Sequence, residues 1–197
     1  PSDLLVSMSI LDLQLEPVRV DRLSRLFGIL FHIGAFIGIV FSLHSRDRTQ
    51  HVAALAYAGS ALGAVFAGDL LTLFVFWELL AVSSVFLIFA SRTERSYGAG
   101  MRYLVIQVIS GVLLLAGALI LYGQSGSLRF EHIGLSGAGS MLIFIAFGIK
   151  CAFPLLHNWL TDAYPEATPT GTVFLSAFTT KVAVYALARG FAGTEVL

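Results

Sequence analysis

Hydrophobic residues fall in long blocks, not in short alternating stretches, along most of this chain. A bilayer core of about 30 Å takes about 20 mostly apolar residues per helical crossing. That ruler predicts six transmembrane helices. The first covers 23–43 and ends at Ser45-Arg46-Asp47-Arg48. Next comes a hydrophobic stretch from His51 to Ala90, whose residues would make a helix about 60 Å long, enough for two crossings. Its one turn-like triplet is Ala67-Gly68-Asp69, so the second helix covers 51–67 and the third 70–90. The charges at 91–95 close the third, and the fourth covers 98–122. A glycine- and serine-rich loop carrying Arg129, Glu131 and His132 leads to the fifth, from Gly139 to Pro154. The segment 157–164 reads as an interrupted continuation of the fifth, and the sixth covers 170–189.

Residues 1–22 follow another rhythm. Leu11, Leu13 and Leu15 alternate with Asp12, Gln14 and Glu16, and Val18 and Val20 flank Arg19. Period two fits a short hairpin outside the bilayer, and an irregular loop fits equally. The expected organisation is therefore an extramembrane segment over 1–22, a helix bundle over 23–190 and a truncated continuation over 191–197. The chain starts at Pro1 and ends at Leu197 soon after the sixth helix, so it reads as part of a longer protein.

Composition agrees with this pattern. Of 197 residues, 57% are hydrophobic and 12% charged, against roughly 25% charged in an average soluble domain. Mean hydropathy is +0.85. Twelve basic and twelve acidic residues balance to zero, which leaves no basic footprint for nucleic acid. The single cysteine, Cys151, has no partner for a disulfide or a CxxC site, and the five histidines show no paired spacing. No cofactor or metal is expected. Arginines divide evenly between the two sides of the bundle, so the positive-inside rule gives no orientation.

The positions of the charges say more than their number. Ten of the twelve basic residues are arginines near helix ends, where a long side chain reaches the interface. The other two are Lys150 and Lys181. Lys150 lies about 16 Å into the fifth helix, Lys181 about 16 Å into the sixth, and Glu78 about 13 Å into the third. All three thus fall near the midplane, where an ionisable group costs at least about 2.5–3.5 kcal/mol on insertion scales. Two readings account for such a trio. One is a static ion pair between Glu78 and a lysine. The other is a proton relay: burial disfavours a charge and a neighbouring carboxylate favours it, so a glutamate between two lysines can shift a proton from one to the other. Lysine suits a relay because it can release its proton, whereas arginine stays charged.

Pro154 stands four residues after Lys150, where it would remove a backbone donor and clash with the Lys150 carbonyl. A helix interrupted beside a buried lysine is a recurrent way of building ion sites in transporters. Past the break, His157 is a further relay residue at short reach. Asp162 either gathers protons at the mouth or solvates a loop, and Glu166 reads as a loop residue. On the sixth helix Thr172, Ser176 and Thr179 form a stripe opposite Lys181, suited to interhelical hydrogen bonds.

Three blocks carry a family resemblance. They are Phe76-Trp77-Glu78-Leu79; the run Lys150, His157, Trp159-Leu160, Asp162-Ala163 and Pro169; and Lys181-Val182-Ala183-Val184-Tyr185 with Arg189. In them the chain resembles the antiporter-like subunits shared by Mrp-type multisubunit cation/proton antiporters and the membrane arm of respiratory complex I. The lysine of the third block resembles that of the Mrp D subunit and of two of the complex I paralogues, whereas the third paralogue tends to have histidine nearby. Two positions depart from the family pattern: Thr161 stands where proline is usual, and Pro154 falls one residue early. The resemblance implies about fourteen helices in a full subunit, arranged as two inverted repeats. This chain would supply one repeat and one half-channel. Glu78 and Lys150 would form the family's midmembrane pair, and Lys181 the connecting lysine. It also implies that the side bearing Arg46, Arg48, Arg92 and Arg95 is cytoplasmic.

The expectation is thus an all-α polytopic membrane protein, part of an ion transporter and not an enzyme. It would sit in a prokaryotic cell membrane within a multisubunit complex, moving protons and sodium ions. The alternatives are a subunit of a redox-driven pump related to complex I or a hydrogenase, and a non-transporting assembly subunit.

Overall fold

A computed structural model describes residues 4–10 and 13–193. Leu11 and Asp12 of the alternating stretch, and residues 194–197, lie outside the described residues. Of the two readings of the start, a hairpin and an irregular loop, the hairpin is present. Strands β1 (Leu4–Ile10) and β2 (Leu13–Val20) pair antiparallel. Met8 faces Leu15 and Val6 faces Val18, so Glu16 and Pro17 together oppose Ser7. This bulge sits at a proline, which has no N–H for the ladder.

Helices follow at the six expected places: α1 (Arg22–Ser42), α2 (Arg48–Phe66), α3 (Leu70–Phe89), α4 (Glu94–Ser125), α5 (Ala138–Cys151) and, after a break, α7 (Pro169–Phe191). The break holds the short α6 (Asn158–Ala163) and a 3₁₀ turn over Tyr164–Glu166. Four of these, α1, α3, α4 and α7, are long and apolar enough to cross a membrane. α2 carries Arg48, Gln50 and His51 in its first turn, and α5 has only 14 residues.

Local chemistry sets the boundaries. Asp47, Asp69 and Thr93 accept hydrogen bonds from the first-turn amides of α2, α3 and α4, supplying acceptors that a helix start lacks. Gly126 ends α4 in the left-handed conformation, with φ of 68°. The corner at Ala67-Gly68-Asp69 also receives the hairpin. The Gly68 N–H donates to the Glu16 carbonyl, and the Glu16 N–H to Asp69 Oδ2 at 2.8 Å. A Cβ on Gly68 would stand 2.8 Å from that carbonyl oxygen, so a side chain there has no room.

The fifth helix ends differently from the proline argument. It stops at Cys151, before Pro154, because Ala152 turns left-handed at φ 61°. The Phe153 N–H then bonds back to the Gly148 carbonyl at 3.0 Å. No helix therefore runs into the proline ring, and the expected clash at the Lys150 carbonyl does not arise. The Ile149 carbonyl at the break accepts the Ala152 N–H at 3.1 Å and Trp159 Nε1 at 2.9 Å.

α3 packs between α2 and α4, α5 lies on α4, and α7 contacts α1, α2, α3 and α5. Several arginines at each end of the bundle form ion pairs. Arg129 binds Glu16 and Arg189 binds Asp21 on one side; Arg92 binds Asp47, Arg95 binds Glu166 and Arg102 binds Asp162 on the other.

Candidate functional site

Lys150 occupies the last turn of α5, where the negative end of the helix dipole favours a cation. Its side chain is completely buried. Nζ donates to the Trp77 carbonyl at 3.2 Å and lies 4.6 Å from the centre of the Trp77 ring, close enough for a cation–π contact. Trp77 is itself fixed on its other side. Its Nε1 donates to Ser110 Oγ at 3.0 Å, Ser110 Oγ donates to the Ala146 carbonyl at 2.8 Å, and its ring meets Phe147. One hydrogen-bonded chain thus ties α3, α4 and α5 around the lysine.

Glu78 follows Trp77 on α3 and is half-buried. It is near enough to Lys150 for their charges to interact, yet among the described residues no direct ion pair joins them. Glu78 Oε1 is buried without a hydrogen-bond partner. It rests against Gly111 of α4, at a point where a Cβ would overlap the carboxylate.

The third expected charge is elsewhere. Lys181 is exposed on α7, where Nζ donates to the Ser176 carbonyl at 2.6 Å. Phe178, Thr179, Val182, Tyr185 and Ala186 occupy the inward face of that helix, and at 100° per residue position 181 falls at the edge of that face. The expectation of three buried charges is therefore corrected to one fully buried, one half-buried and one outward.

The residues past the break are also peripheral. His157 is exposed just ahead of α6. Asp162 accepts two hydrogen bonds from Arg102, at 2.8 and 2.9 Å. The Arg102 guanidinium holds its carboxyl below the usual carboxylate range.

The stripe on α7 divides as well. Thr179 is buried and meets the Tyr57 hydroxyl of α2, as suits an interhelical bond. Thr172 donates to the Tyr164 carbonyl, and Ser176 turns outward.

Several residues of the site escaped the sequence reading. Trp77 contributes a carbonyl and a ring face, and Ser110 a bridging hydroxyl. Gln107, fully buried on α4, has neither amide atom paired. A count restricted to charged residues passes over all three. The usable signal was a neutral polar residue in mid-helix, at the depth of the charges.

Known proteins resemble this chain in sequence and fold. The family described as NADH:quinone oxidoreductase/Mrp antiporter, TM matches residues 67–195. NADH-quinone oxidoreductase subunit N of Deinococcus radiodurans is 27% identical over 194 residues, covering 89% of this chain and 39% of that protein. The D subunit of the Na(+)/H(+) antiporter of Bacillus subtilis is 27% identical over 175 residues, covering 80% and 36%. In fold, the chain superposes on a chain of respiratory complex I from Thermus thermophilus with a TM-score of 0.81 at 22% identity, covering 93% of this chain and 42% of that one. The chain thus spans well under half the length of these relatives. With its apolar helices and a match over more than half its length, the chain belongs to the NADH:quinone oxidoreductase/Mrp antiporter transmembrane family.

Proposed function

We propose that this chain is a half-channel of a proton-translocating, antiporter-like subunit in a multisubunit prokaryotic membrane complex, and that it serves sodium/proton exchange in the manner of an Mrp D subunit. The observation that carries the reading is Lys150: a fully buried amine on the Trp77 carbonyl, within electrostatic reach of Glu78. A charge at that depth is costly unless it has a partner or a function, and lysine can give its proton up. Glu78 biases whether Lys150 holds a proton. Lys181, outward on the neighbouring helix, passes the proton to a segment beyond this one, and His157 serves the approach on the side of the break. The lysine block at 181–185 suits an Mrp D-like subunit, and suits two of the complex I paralogues as well.

The test is ion flux in vesicles containing the intact complex. Glu78→Gln and Lys150→Gln should each reduce proton-coupled sodium flux at least tenfold while the complex assembles. Wild-type flux in both variants overturns the relay.

A second reading, a proton-pumping subunit of a redox-driven complex, is favoured by the likeness to a quinone oxidoreductase subunit. Purification with small antiporter subunits supports the first reading; purification with quinone-reducing and iron–sulfur subunits supports the second.

A further inference from the structure

A groove of about 540 Å³ runs along the outer side of the bundle between α2 and α3. On α2 it extends from Arg48, the first residue of the helix, to Ser60. Twelve helical residues rise about 18 Å. One leaflet takes half of a core about 30 Å thick, so the groove opens at the membrane interface and closes near the midplane. α3 returns antiparallel beside α2, with Phe76 against Gly63. That register sets Leu79 beside Ser60 at the inner end and Phe86 near the mouth.

The walls are apolar. Val52, Val82 and Phe86 are exposed along the groove, and Ala53 and Ala56 give it depth because they carry only a methyl. Two of the hydroxyls that line it are turned back onto their own helices. Ser60 Oγ donates to the Ala56 carbonyl at 2.7 Å, and Ser83 Oγ to the Leu79 carbonyl at 2.6 Å. The one charge on the groove is Arg48, at its mouth. Arg92, Arg95 and Arg102 at the same end of the bundle bind Asp47, Glu166 and Asp162, but Arg48 is exposed and has no carboxylate partner among the described residues. An apolar slot one leaflet deep, headed by an unpaired cation, complements a molecule with an anionic head and a hydrocarbon tail of one-leaflet length. A transmembrane helix of another subunit calls for a face that runs the full thickness of the core.

We propose that the groove between α2 and α3 binds one anionic phospholipid, with an acyl chain laid from Val52 to Ser60 and the phosphate on the Arg48 guanidinium. The planar N–H fork of arginine matches phosphate geometry. Inside a bilayer the chain gains little from apolar contact alone, since the surrounding lipid is as apolar as the groove. Pairing of the headgroup with Arg48 therefore supplies the preference for this lipid over its neighbours. The chain covers the outer face of α3 as far as Leu79, one residue from Glu78. The site stands on the groove and on Arg48, and it holds whether or not Glu78 and Lys150 relay protons.

The intact complex in nanodiscs of mixed phosphatidylcholine and phosphatidylglycerol tests this. Electron cryomicroscopy should show one acyl chain in the groove and a phosphate within about 4 Å of the Arg48 guanidinium. Native mass spectrometry then counts the phosphatidylglycerol retained by each complex. Ala56→Leu, which fills the groove, should remove one phosphatidylglycerol per copy of this subunit. Arg48→Gln should weaken its retention about fivefold, the factor that corresponds to roughly 1 kcal/mol per cationic side chain at an anionic surface. A protein helix seated in the groove overturns the site, and so does a wild-type count of phosphatidylglycerol in both variants. The same chain density at the same occupancy in nanodiscs of phosphatidylcholine alone overturns the part given to Arg48. If Ala56→Leu does not assemble, Arg48→Gln, at an exposed position, decides together with the wild-type density.

Discussion

At the scale of single residues, the surroundings of Lys150 depend on groups that carry no charge. Trp77 presents its main-chain carbonyl and ring face to Lys150, while its indole N–H is held by Ser110. Trp77→Phe would keep much of the ring surface and remove that N–H. The lost hydrogen bond should cost about 0.5–1.5 kcal/mol, read as a lower unfolding temperature of the purified complex. Gly111 acts by having no side chain. In Gly111→Ala the new methyl would overlap Glu78 Oε1, so the carboxylate must swing away from its seat. Overpacking of this kind costs about 1–3 kcal/mol. The expected outcome is a destabilised complex with reduced flux, and Gly111→Ala with wild-type stability and flux would show that Glu78 has room elsewhere. The charged members of this site were legible in the sequence, because two lysines among ten arginines, and one deep glutamate, stand out by depth. Gln107, Ser110 and Gly111 were not, because their importance comes from what faces them across α4.

At the scale of elements, the break after α5 and the corner at the start of α1 are the informative features. Hydrophobic block lengths located both: the end of the fifth helix fell near Pro154, and the first helix began within a residue or two of Arg22. The cause of the break is not the proline. Ala152 in the left-handed region ends α5 before the proline can act, and no sequence rule marks an alanine for that conformation. A non-glycine residue there carries roughly 1–2 kcal/mol of strain, partly offset by the greater chain entropy of glycine. Ala152→Gly should therefore stabilise the protein by about 0.5–1 kcal/mol, measured as a small rise in unfolding temperature. A fall would mean that the Ala152 methyl makes a contact worth more than the strain.

At the other end, Asp21 caps α1 and binds Arg189 of α7 at 2.8 Å. Burial works to raise its pKa, but the Arg189 hydrogen bond, the Ser24 amide and the charges of Arg189 and Arg19 hold it at about 2, below its ordinary 3.8. A lowered carboxylate pKa stabilises the fold fully above the ordinary value, and the contribution is lost as pH falls toward the folded one. Asp21→Asn should accordingly speed amide hydrogen exchange in the first turn of α1 at pH 6. The difference from wild type should fade between pH 4 and pH 2. A difference that persists at pH 2 would assign the effect to the cap and not to the charge.

At the scale of the whole molecule, the chain is an apolar helix bundle whose outer face remains hydrophobic. Leu30, Phe36 and Ile37 on α1 are exposed, as are Val112 and Leu119 on α4, which suits hydrocarbon or neighbouring helices as the surround. The six helical positions and the all-α class were legible because a bilayer imposes a length on each apolar block. The outward placement of Lys181 was not. Depth along a helix follows from counting, but direction depends on which neighbours the helix packs against, and those contacts join residues more than a hundred positions apart, as between Tyr57 and Thr179. The same limit hid the pairing of Asp162 with Arg102.

The central claim is that Glu78 and Lys150 move protons and are not merely a buried ion pair holding helices together. Single neutralisations leave the other charge stranded, which is itself destabilising, so the most direct measurement removes both at once. In the double variant Glu78→Gln, Lys150→Met, assembled in the intact complex and reconstituted into vesicles, a static pair has been replaced without stranding a charge, and flux should persist if that was its only role. A proton relay predicts a correctly assembled complex with coupled flux reduced to background. Flux at the wild-type level in that double variant would contradict the account.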